Sequence, residues 1–430
     1  MAHDAYAEMP YKRLETVPKG LSGATIGISV IGAMAFVAAV LTNPERAWRA
    51  YYFNWLFFMS IAQGAVLLSA VVTITKGLWS RPLRRISLSF AAFMPIAYLM
   101  VIPILINAKH IFPWIEHPIT GGKEAWLNLP FLTVRTMIGL GLLVAFDIMF
   151  AYYALRPDMG LARERMPAPL RSLSDRLTRG WRGQEAEELN SFRKLTLLSP
   201  VLAATYALVM GMIAWDFVMS LEPHWFSTLI GPYFFMGAFL GGLMLTGITT
   251  LRYRAHLGLH EWITTSNLHD LGKLCFGFTV FWGYLFFSQF IVIWYGLLPI
   301  EQSFVIHRFS APFVTIAYMV GFCIFLIPFF GLLGTATKKT PALFTLFASI
   351  SLFGLWLERW ILTYPTFYLG AEKLPFSWYE PGVALLFAGL FISAHLWFTT
   401  RFPLFQMWVP ASEIELTGIE VEPSQMANMP

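Results

Sequence analysis

Ten apolar runs of about 20 residues each constrain this chain more than any other feature of its sequence. A helix of that length crosses the hydrocarbon core of a bilayer. Charged residues make up only 13% of the chain, against about 25% in soluble proteins. The sequence therefore predicts an all-α integral membrane protein with ten spans, numbered here in chain order. The runs cover about residues 21–42, 51–75, 86–107, 131–155, 195–219, 228–251, 271–296, 311–334, 342–361 and 380–401.

Lysine and arginine predict which way the spans face. Of the 30 basic residues, 21 lie in the termini and the even-numbered loops, six in the odd-numbered loops and three within spans. Because cytoplasmic loops carry the excess of basic residues, both termini are expected in the cytoplasm. The net charge of +5 is spread over many loops rather than gathered in one stripe, which argues against a nucleic-acid partner.

A shared spacing suggests that two four-helix bundles arose by a parallel duplication. Asp216 in span 5 and Glu358 in span 9 each stand seven residues before a proline, and such repeats are common in membrane proteins. The predicted segments are a cytoplasmic N-tail (1–20), spans 1–5 (21–219) with the first four-helix bundle (51–219), a basic cytoplasmic loop (156–194), the second four-helix bundle (228–361), the last span (380–401) and an acidic cytoplasmic C-tail (402–430).

Two extramembrane segments have distinctive compositions. The basic loop is expected to be a solvated topology determinant with affinity for anionic lipids, and an amphipathic surface helix is the alternative. The tail after Arg401 contains four glutamates and no lysine or arginine. It is expected to be either an ordered strap or a docking segment for a partner.

Ionisable residues inside the spans are the candidate functional residues, since a charge at the bilayer centre costs at least about 2.5–3.5 kcal/mol. They divide between the two halves of the membrane. The division suggests two half-channels of a proton path separated by a dry middle. The inner half contains Asp147, His395 and Lys273, with His269 and Asp270 at its rim; the outer half contains Arg135, Asp216, Glu358 and Arg359; and Tyr284 shares a helix face with Lys273.

Each of these residues also has a structural interpretation. Arg135 and Asp216 form an ion pair that fixes helix register in the alternative reading, and Arg359 is expected to extend its side chain to the interface. A lone histidine such as His395 is more often a hydrogen-bonded helix contact than a proton relay. Asp147 resists such a reading, because it lies about eight residues from the predicted end of its span and its side chain is short.

The chain contains few cysteine and histidine residues that could bind a redox cofactor. The two cysteines form no CxxC motif, so neither an iron–sulfur cluster, which needs about four thiolates, nor a covalent haem c is expected. Only His395 lies well inside a span, which argues against a haem b held by two histidines. No metal site is predicted, and the polar N-terminus predicts no removable signal peptide.

Three stretches together resemble a known family. They are "NPERAWRAYYFNWLFFMSIAQGAVLLS" with "RPLRRISLSFAAFMPI" (43–96), "LPFLTVRTMIGLGLLVAFD" (129–147) and "NLHDLGKLCFGFTVFWGYLFFSQFIVIWYGLLP" (267–299). They are similar to the ActF-like family, the second NrfD-like membrane subunit of bacterial alternative complex III. The resemblance covers nearly all of the chain.

The resemblance implies a cofactor-free subunit of a respiratory quinol:electron acceptor oxidoreductase in the bacterial inner membrane. Its implied partners are an iron–sulfur subunit, a second NrfD-like subunit, haem c subunits, small membrane subunits, lipids and a terminal oxidase. Haem c and iron–sulfur clusters would belong to those partners. The expected contribution of this chain is a proton pathway, a scaffold, or both.

Other functions remain open at this point. A quinol or quinone site near the outer face would use Asp216, Glu358 or Arg135 beside an apolar slot. A stand-alone secondary transporter is less well supported, because transporters place their substrate sites near the midplane and these charges avoid it. A pure scaffold is the third alternative.

Overall fold

The structure is a computed structural model that describes residues 10–408, and its regular elements within that range are all helices. Ten of them are long and apolar enough to cross a membrane, which confirms the predicted all-α membrane fold. Spans 1 to 10 comprise Lys19–Thr42, Pro44–Ile74, Arg81–Ile106, Leu129–Ala162, Gln184–Phe217, Ile230–His256, Thr265–Gly296, Val314–Leu333, Pro341–Phe367 and Tyr379–Arg401.

Two spans are irregular, and short helices lie in the connections. Span 3 changes to a 3₁₀ helix over Ser89–Phe93, and span 8 changes to a π-helix over Gly321–Leu326. Such π segments are rare and are frequent at functional sites. The connecting helices are Pro113–Glu116, Ala168–Leu177, Pro299–Phe309 and Thr335–Lys339.

Side-chain caps fix where several spans begin. The Asn43 side chain accepts from the backbone N–H of Arg46 at 3.1 Å, and proline follows at the first helical position of span 2. Asn128 caps span 4 in the same way, through the N–H of Phe131 at 2.9 Å. These caps satisfy backbone donors that would otherwise be unpaired near the membrane surface.

The basic loop is much shorter than predicted. Span 4 continues to Ala162 and span 5 begins at Gln184, so only the middle of 156–194 connects the two spans, partly as the helix Ala168–Leu177. Arg156 is buried rather than solvated, and its guanidinium binds both carboxylate oxygens of Glu187 at 2.7 and 2.9 Å. This bidentate pair joins the last turns of span 4 to the first turns of span 5. It stabilises both helices where they continue beyond their apolar runs.

The spans pack as two rings of four around one continuous core. In the first ring span 2 contacts spans 3 and 5, and span 4 contacts both of the same neighbours. In the second ring span 6 contacts spans 7 and 9, and span 8 completes the ring. Spans 1 and 10 pack against each other and cover spans 2 and 3 from outside.

Glycines allow the two rings to meet closely. Span 2 crosses span 6 where Gly64 faces Ala238 and Gly242 faces Ala65, and a Cβ atom on either glycine would overlap the backbone of the other helix. Such close approach of backbones is the usual role of small residues between membrane helices. The contact between the rings is therefore centred on these two glycines.

Contacts between connections sort the loops into two faces. At one face, called here the basic face, the N–H of Leu404 donates to the carbonyl of Lys12 at 2.7 Å. At the opposite face, Arg46 Nε lies 3.1 Å from Glu380 Oε1. The basic face holds both ends of the described chain and the even-numbered loops, as alternating spans require.

The beginning of the C-tail packs on the basic face. The N–H of Met407 donates to Asp158 Oδ1 at 2.8 Å, and Arg81 Nη2 donates to the carbonyl of Met407 at 2.9 Å. Residues 402–408 therefore form an ordered strap. The rest of the predicted acidic tail, 409–430, and residues 1–9 of the N-tail lie outside the described residues.

Candidate functional site

The buried carboxylates separate into two kinds. Six are buried in the described chain, and five of these each bind an arginine. Asp147 is the exception: its partner is a neutral amide. The five pairs are Asp158 with Arg85, Glu187 with Arg156, Asp216 with Arg135, Glu358 with Arg359 and Glu380 with Arg46.

Asp147 lies on span 4 and has no exposed surface. Gln63 Nε2 on span 2 donates to Asp147 Oδ1 at 3.0 Å. Asp147 Oδ2 and Gln63 Oε1 have no hydrogen-bond partner within the described chain. Two buried acceptors without a donor are costly, so this pair is suited to receive a proton or a water molecule.

A small cavity lies between Asp147 and the basic face. It has a volume of about 30 Å³, and Phe150 and Ala154 line it. These residues lie three and seven positions beyond Asp147 on span 4, on nearly the same side of the helix. The residues that line the cavity also include Arg85 and Gln406. One water molecule needs about 10–15 Å³ by this measure, so the cavity has room for water.

From Asp147 toward the opposite face, span 4 carries mainly apolar side chains. Arg135 lies twelve residues earlier on span 4, or about 18 Å along the helix axis. The buried side chains between them include Leu140 and Leu143. Thr136 carries a buried hydroxyl without a partner in the described chain, but it lies beside Arg135 rather than near Asp147. The predicted dry middle of the path would lie in this leucine-lined stretch.

Arg135 and Asp216 form a closed ion pair. Arg135 Nε and Nη2 donate to the two carboxylate oxygens at 2.6 and 2.7 Å. Trp126 Nε1 donates to Asp216 Oδ1 at 3.0 Å, and the Trp126 ring lies 4.3 Å from the guanidinium carbon. Both carboxylate oxygens of Asp216 therefore accept hydrogen bonds from Arg135. This arrangement favours the interpretation of the pair as an ion pair that fixes helix register.

Glu358 and Arg359 form the corresponding group in the second bundle. Arg359 Nη1 donates to Glu358 Oε2 at 2.6 Å, and Trp282 Nε1 donates to Glu358 Oε1 at 3.1 Å. The expectation that Arg359 extends to the interface is wrong, because its side chain is only 1% exposed. The Phe234 ring covers it at 3.9 Å, and the Phe234 carbonyl accepts from Nη2. The ion pair with Glu358 and the Phe234 ring thus take the place of water around the Arg359 guanidinium.

His395 joins three spans rather than continuing the path from Asp147. Its Nδ1 lies 2.7 Å from Ser89 Oγ on span 3, and its Nε2 lies 2.9 Å from Tyr253 Oη on span 6. The Phe90 ring stacks on the imidazole at 4.6 Å. Both ring nitrogens have hydrogen-bond partners, and within residues 10–408 no hydrogen bond connects them to Asp147. His395 therefore makes a hydrogen-bonded contact between helices, which is the structural interpretation of this residue.

The remaining inner candidates lie at the surface of the basic face. Lys273 Nζ binds Asp270 Oδ1 at 2.6 Å and its side chain is 58% exposed, while His269 Nδ1 lies 4.0 Å from the same carboxylate. Tyr284 is 60% exposed on the outer side of span 7. The shared helix face of Lys273 and Tyr284 therefore points outward and does not join Asp147.

Sequence reasoning did not single out Gln63, Arg85 or Glu380. Gln63 is an amide within a long apolar run, which is a weak signal because an amide carries no charge. Arg85 was assigned to a loop, yet it is buried on the first helix of span 3 and binds Asp158. Glu380 lay at a predicted span boundary, where a carboxylate is ordinarily solvated. Glu380 binds Arg46, and Tyr364 Oη donates to Glu380 Oε1 at 3.0 Å. Both partners lie on other spans, so the sequence around Glu380 does not predict these contacts.

A further ion pair lies outside the spans, at the opposite face. Arg308 Nη1 donates to Glu222 Oε1 at 2.8 Å, and Thr366 Oγ1 donates to the same oxygen at 2.8 Å. Burial opposes ionisation of Glu222, but the Arg308 charge and these hydrogen bonds together hold the pKa of its carboxyl below its usual value of 4.5. Glu222 therefore connects the loops after spans 5 and 7 with the last turn of span 9 as a carboxylate.

The quinone alternative requires a carboxylate beside an apolar slot. An open apolar groove does pass Trp282, but Glu358 is not among the residues that line it. Asp216 is enclosed by Arg135 and Trp126. In residues 10–408 no three His, Cys, Asp or Glu side chains lie together in a group that could hold a metal ion.

No protein-family model matches this chain. A search of curated proteins likewise finds no significant match.

Proposed function

We propose that this chain is a membrane subunit that conducts protons, with Asp147 as its intramembrane proton carrier. The assembly we propose for it is a respiratory quinol:electron acceptor oxidoreductase of the alternative complex III type, in a bacterial inner membrane with both termini in the cytoplasm. Electrons would pass through iron–sulfur and haem c partners, and a second NrfD-like subunit would oxidise quinol. The resemblance of residues 43–96, 129–147 and 267–299 to ActF-like chains supports this placement.

The observation that carries the proposal is the partner of Asp147. A buried carboxylate that binds an arginine, as the other five do, leaves that arginine without its counter-ion when it takes up a proton, and breaking such a pair is costly. An amide can serve both states, since its N–H donates to a carboxylate and its C=O accepts from a carboxylic acid. Gln63 therefore gives Asp147 a partner before and after a proton arrives.

The position of the cavity supports a route for protons between Asp147 and the basic face. Water in the cavity lined by Phe150 and Ala154 would bring protons from the basic face to within two helical turns of Asp147. The stretch beyond Asp147 is lined by buried apolar side chains that include Leu140 and Leu143. A path with this shape opens to the basic face and needs a change in structure or hydration to continue.

The test is an Asp147→Asn variant in the assembled complex, reconstituted in liposomes. Asparagine keeps the size of the side chain but cannot carry a proton. We expect quinol turnover to continue at a reduced rate, with fewer protons moved per electron. The turnover rate should also depend less on the membrane potential, because fewer charges cross the membrane and each one contributes about 2.3 kcal/mol per 100 mV.

The matched control is Asp270→Asn, the same chemical change at a partly exposed carboxylate of the basic face that already binds Lys273. It should leave both turnover and proton stoichiometry unchanged. If Asp147→Asn also leaves both unchanged, the proton-carrier function is refuted and a scaffold remains. If the chain purifies without haem c or iron–sulfur partners and transports a solute alone, the proposed assembly is wrong.

A further inference from the structure

The small cavity of about 30 Å³ between Asp147 and the basic face is lined by all four spans of the first bundle. Its lining residues include Ser69 on span 2, Arg84 on span 3, Phe150 on span 4 and Phe192 on span 5. Ser69 belongs to the last two turns of span 2, and Arg84 belongs to the first two turns of span 3. The cavity therefore lies between the four helices, at the end of the bundle nearest the basic face.

The strap adds a further wall to this cavity. Gln406 and Trp408 of the strap are among the lining residues. Trp408 is only 3% exposed, and its Nε1 donates to the carbonyl of Ala154 at 3.4 Å. Ala154 lies about one helical turn deeper in span 4 than Asp158, which accepts from the preceding residue of the strap. The indole of Trp408 therefore enters the bundle and covers the cavity on the side of the basic face.

The end of the strap is held by side chains rather than by helical hydrogen bonds. Arg81 Nη2 donates to the carbonyl of Met407 at 2.9 Å, and the N–H of Met407 donates to Asp158 Oδ1 at 2.8 Å. The other carboxylate oxygen of Asp158 binds Arg85. Asp158 thus joins the strap to spans 3 and 4. A short segment with contacts of this kind can open locally while the spans stay folded.

We propose that the strap, residues 402–408, is a gate on the water route between the basic face and Asp147. With Trp408 seated between the helices, the cavity has room for water but not for a larger solute. When the strap lifts, the end of the first bundle opens to bulk water. A proton carrier needs such control, because a route open to both faces at once would let protons flow back, and alternating access prevents this. The inference rests on the proposed function, since the gate matters for protons only if Asp147 carries them.

The test measures access from water to a thiol introduced by Ser69→Cys. Ser69 lines the cavity and is only 2% exposed. The full chain in lipid nanodiscs is treated with methanethiosulfonate ethylsulfonate, an anionic thiol reagent that stays in water, and mass spectrometry follows the modified fraction with time. The chain without the substitution gives the background from Cys275 and Cys323. We expect slow labelling, because the reagent is larger than the cavity. Labelling as fast as that of an exposed thiol would overturn the gate.

Replacing the indole should open the cavity. Combined with Ser69→Cys, Trp408→Ala should raise the labelling rate about tenfold, because the closed position of the strap is no longer filled. Trp408→Phe keeps an aromatic ring there and should label nearly as slowly as the parent. The matched control is Trp397→Ala, the same change at a tryptophan of span 10 that is 48% exposed and does not line the cavity. Equal rates in Trp408→Ala and Trp397→Ala would overturn the proposal.

A second variant releases the strap without removing the indole. Met407→Pro lacks the N–H that Asp158 accepts and leaves the side chains of Asp158 and Trp408 unchanged. It should also accelerate labelling of the Ser69→Cys thiol. A thiol introduced by Ser351→Cys, fully buried in the second bundle, should stay unlabelled in every variant. If both thiols are labelled at the same increased rate, the whole fold has loosened and the gate is refuted.

Access to the cavity and transport of protons can fail separately, because labelling is measured without turnover. If Trp408→Ala accelerates labelling while Asp147→Asn leaves the proton stoichiometry of the assembled complex unchanged, the strap controls a water cavity and the proton carrier is refuted. If Asp147→Asn lowers the stoichiometry while the labelling rate is the same in the parent and in Trp408→Ala, the carrier stands and the gate is refuted.

Discussion

Asp147 and Asp216 show how the partner of a buried carboxylate decides its role. Asp216 binds Arg135 through both oxygens and Trp126 through one, so that its charge is compensated where it lies. Asp147 has one hydrogen bond from Gln63 and no cation in the described chain. The first arrangement fixes two helices, whereas the second leaves a carboxyl group free to change its protonation state.

Replacing Asp147 with asparagine should change the stability of the fold little. No charge is left unpaired by Asp147→Asn, and the new amide can still accept from Gln63. We expect the free energy of unfolding to change by less than about 1 kcal/mol, the size of one ordinary hydrogen bond. Thermal unfolding in detergent measures it, and a loss above about 3 kcal/mol would mean that Asp147 is a packing residue.

Arg135→Gln should be far more damaging, since it leaves Asp216 buried without its cation. Breaking such a pair costs about 3–5 kcal/mol. The double variant Arg135→Gln/Asp216→Asn should recover part of that loss, because neither charge then remains. The same unfolding measurement gives all three values, and strictly additive effects would contradict the account of a coupled pair.

At the scale of helices, the crossing of spans 2 and 6 depends on the absence of a side chain at Gly242. Its Cβ would overlap the backbone of Gly64 and Ala65. We expect Gly242→Ala to separate the two helices and lower thermal stability. Gly211→Ala is the matched control, since nothing lies within 4 Å of a Cβ at that position. There alanine should be neutral or stabilising by up to about 1 kcal/mol. Equal effects at the two positions would refute the close crossing.

The connections at the opposite face should loosen in acid. The pKa of Glu222 is lower in the folded chain than its ordinary value of 4.5, so its contribution to stability is complete above that value and is lost as pH falls through the folded pKa. Glu222→Gln should therefore destabilise the fold at pH 7 and differ progressively less from the parent below about pH 4.5. Melting curves of both proteins across this range test the prediction, and a constant difference would contradict it.

The sequence predicts the spans far better than it predicts their contacts. Hydropathy is a local property, so ten spans follow from ten apolar runs. A partner such as Gln63 for Asp147 depends on how two helices, 84 residues apart in sequence, are rotated toward each other. The same limit explains the error at Arg359, because its cover is Phe234 on another span. Helix rotation is set by packing, which one sequence does not display.

Across the whole molecule, charge inside the membrane is compensated almost everywhere. Arginine–carboxylate pairs occur at both faces, in both bundles and between the flanking spans and the first bundle. Most members of the two predicted polar layers therefore stabilise contacts between helices. The candidate path reduces to Asp147, Gln63 and the cavity toward the basic face.

The protonation state of Asp147 during turnover can be measured directly. Infrared difference spectra of the assembled complex, recorded between its oxidised and reduced states, report the carbonyl stretch of a protonated carboxylic acid. The account predicts a carboxylic acid band that changes with turnover and disappears in Asp147→Asn but persists in Asp270→Asn. A spectrum in which Asp147→Asn removes no such band would contradict it.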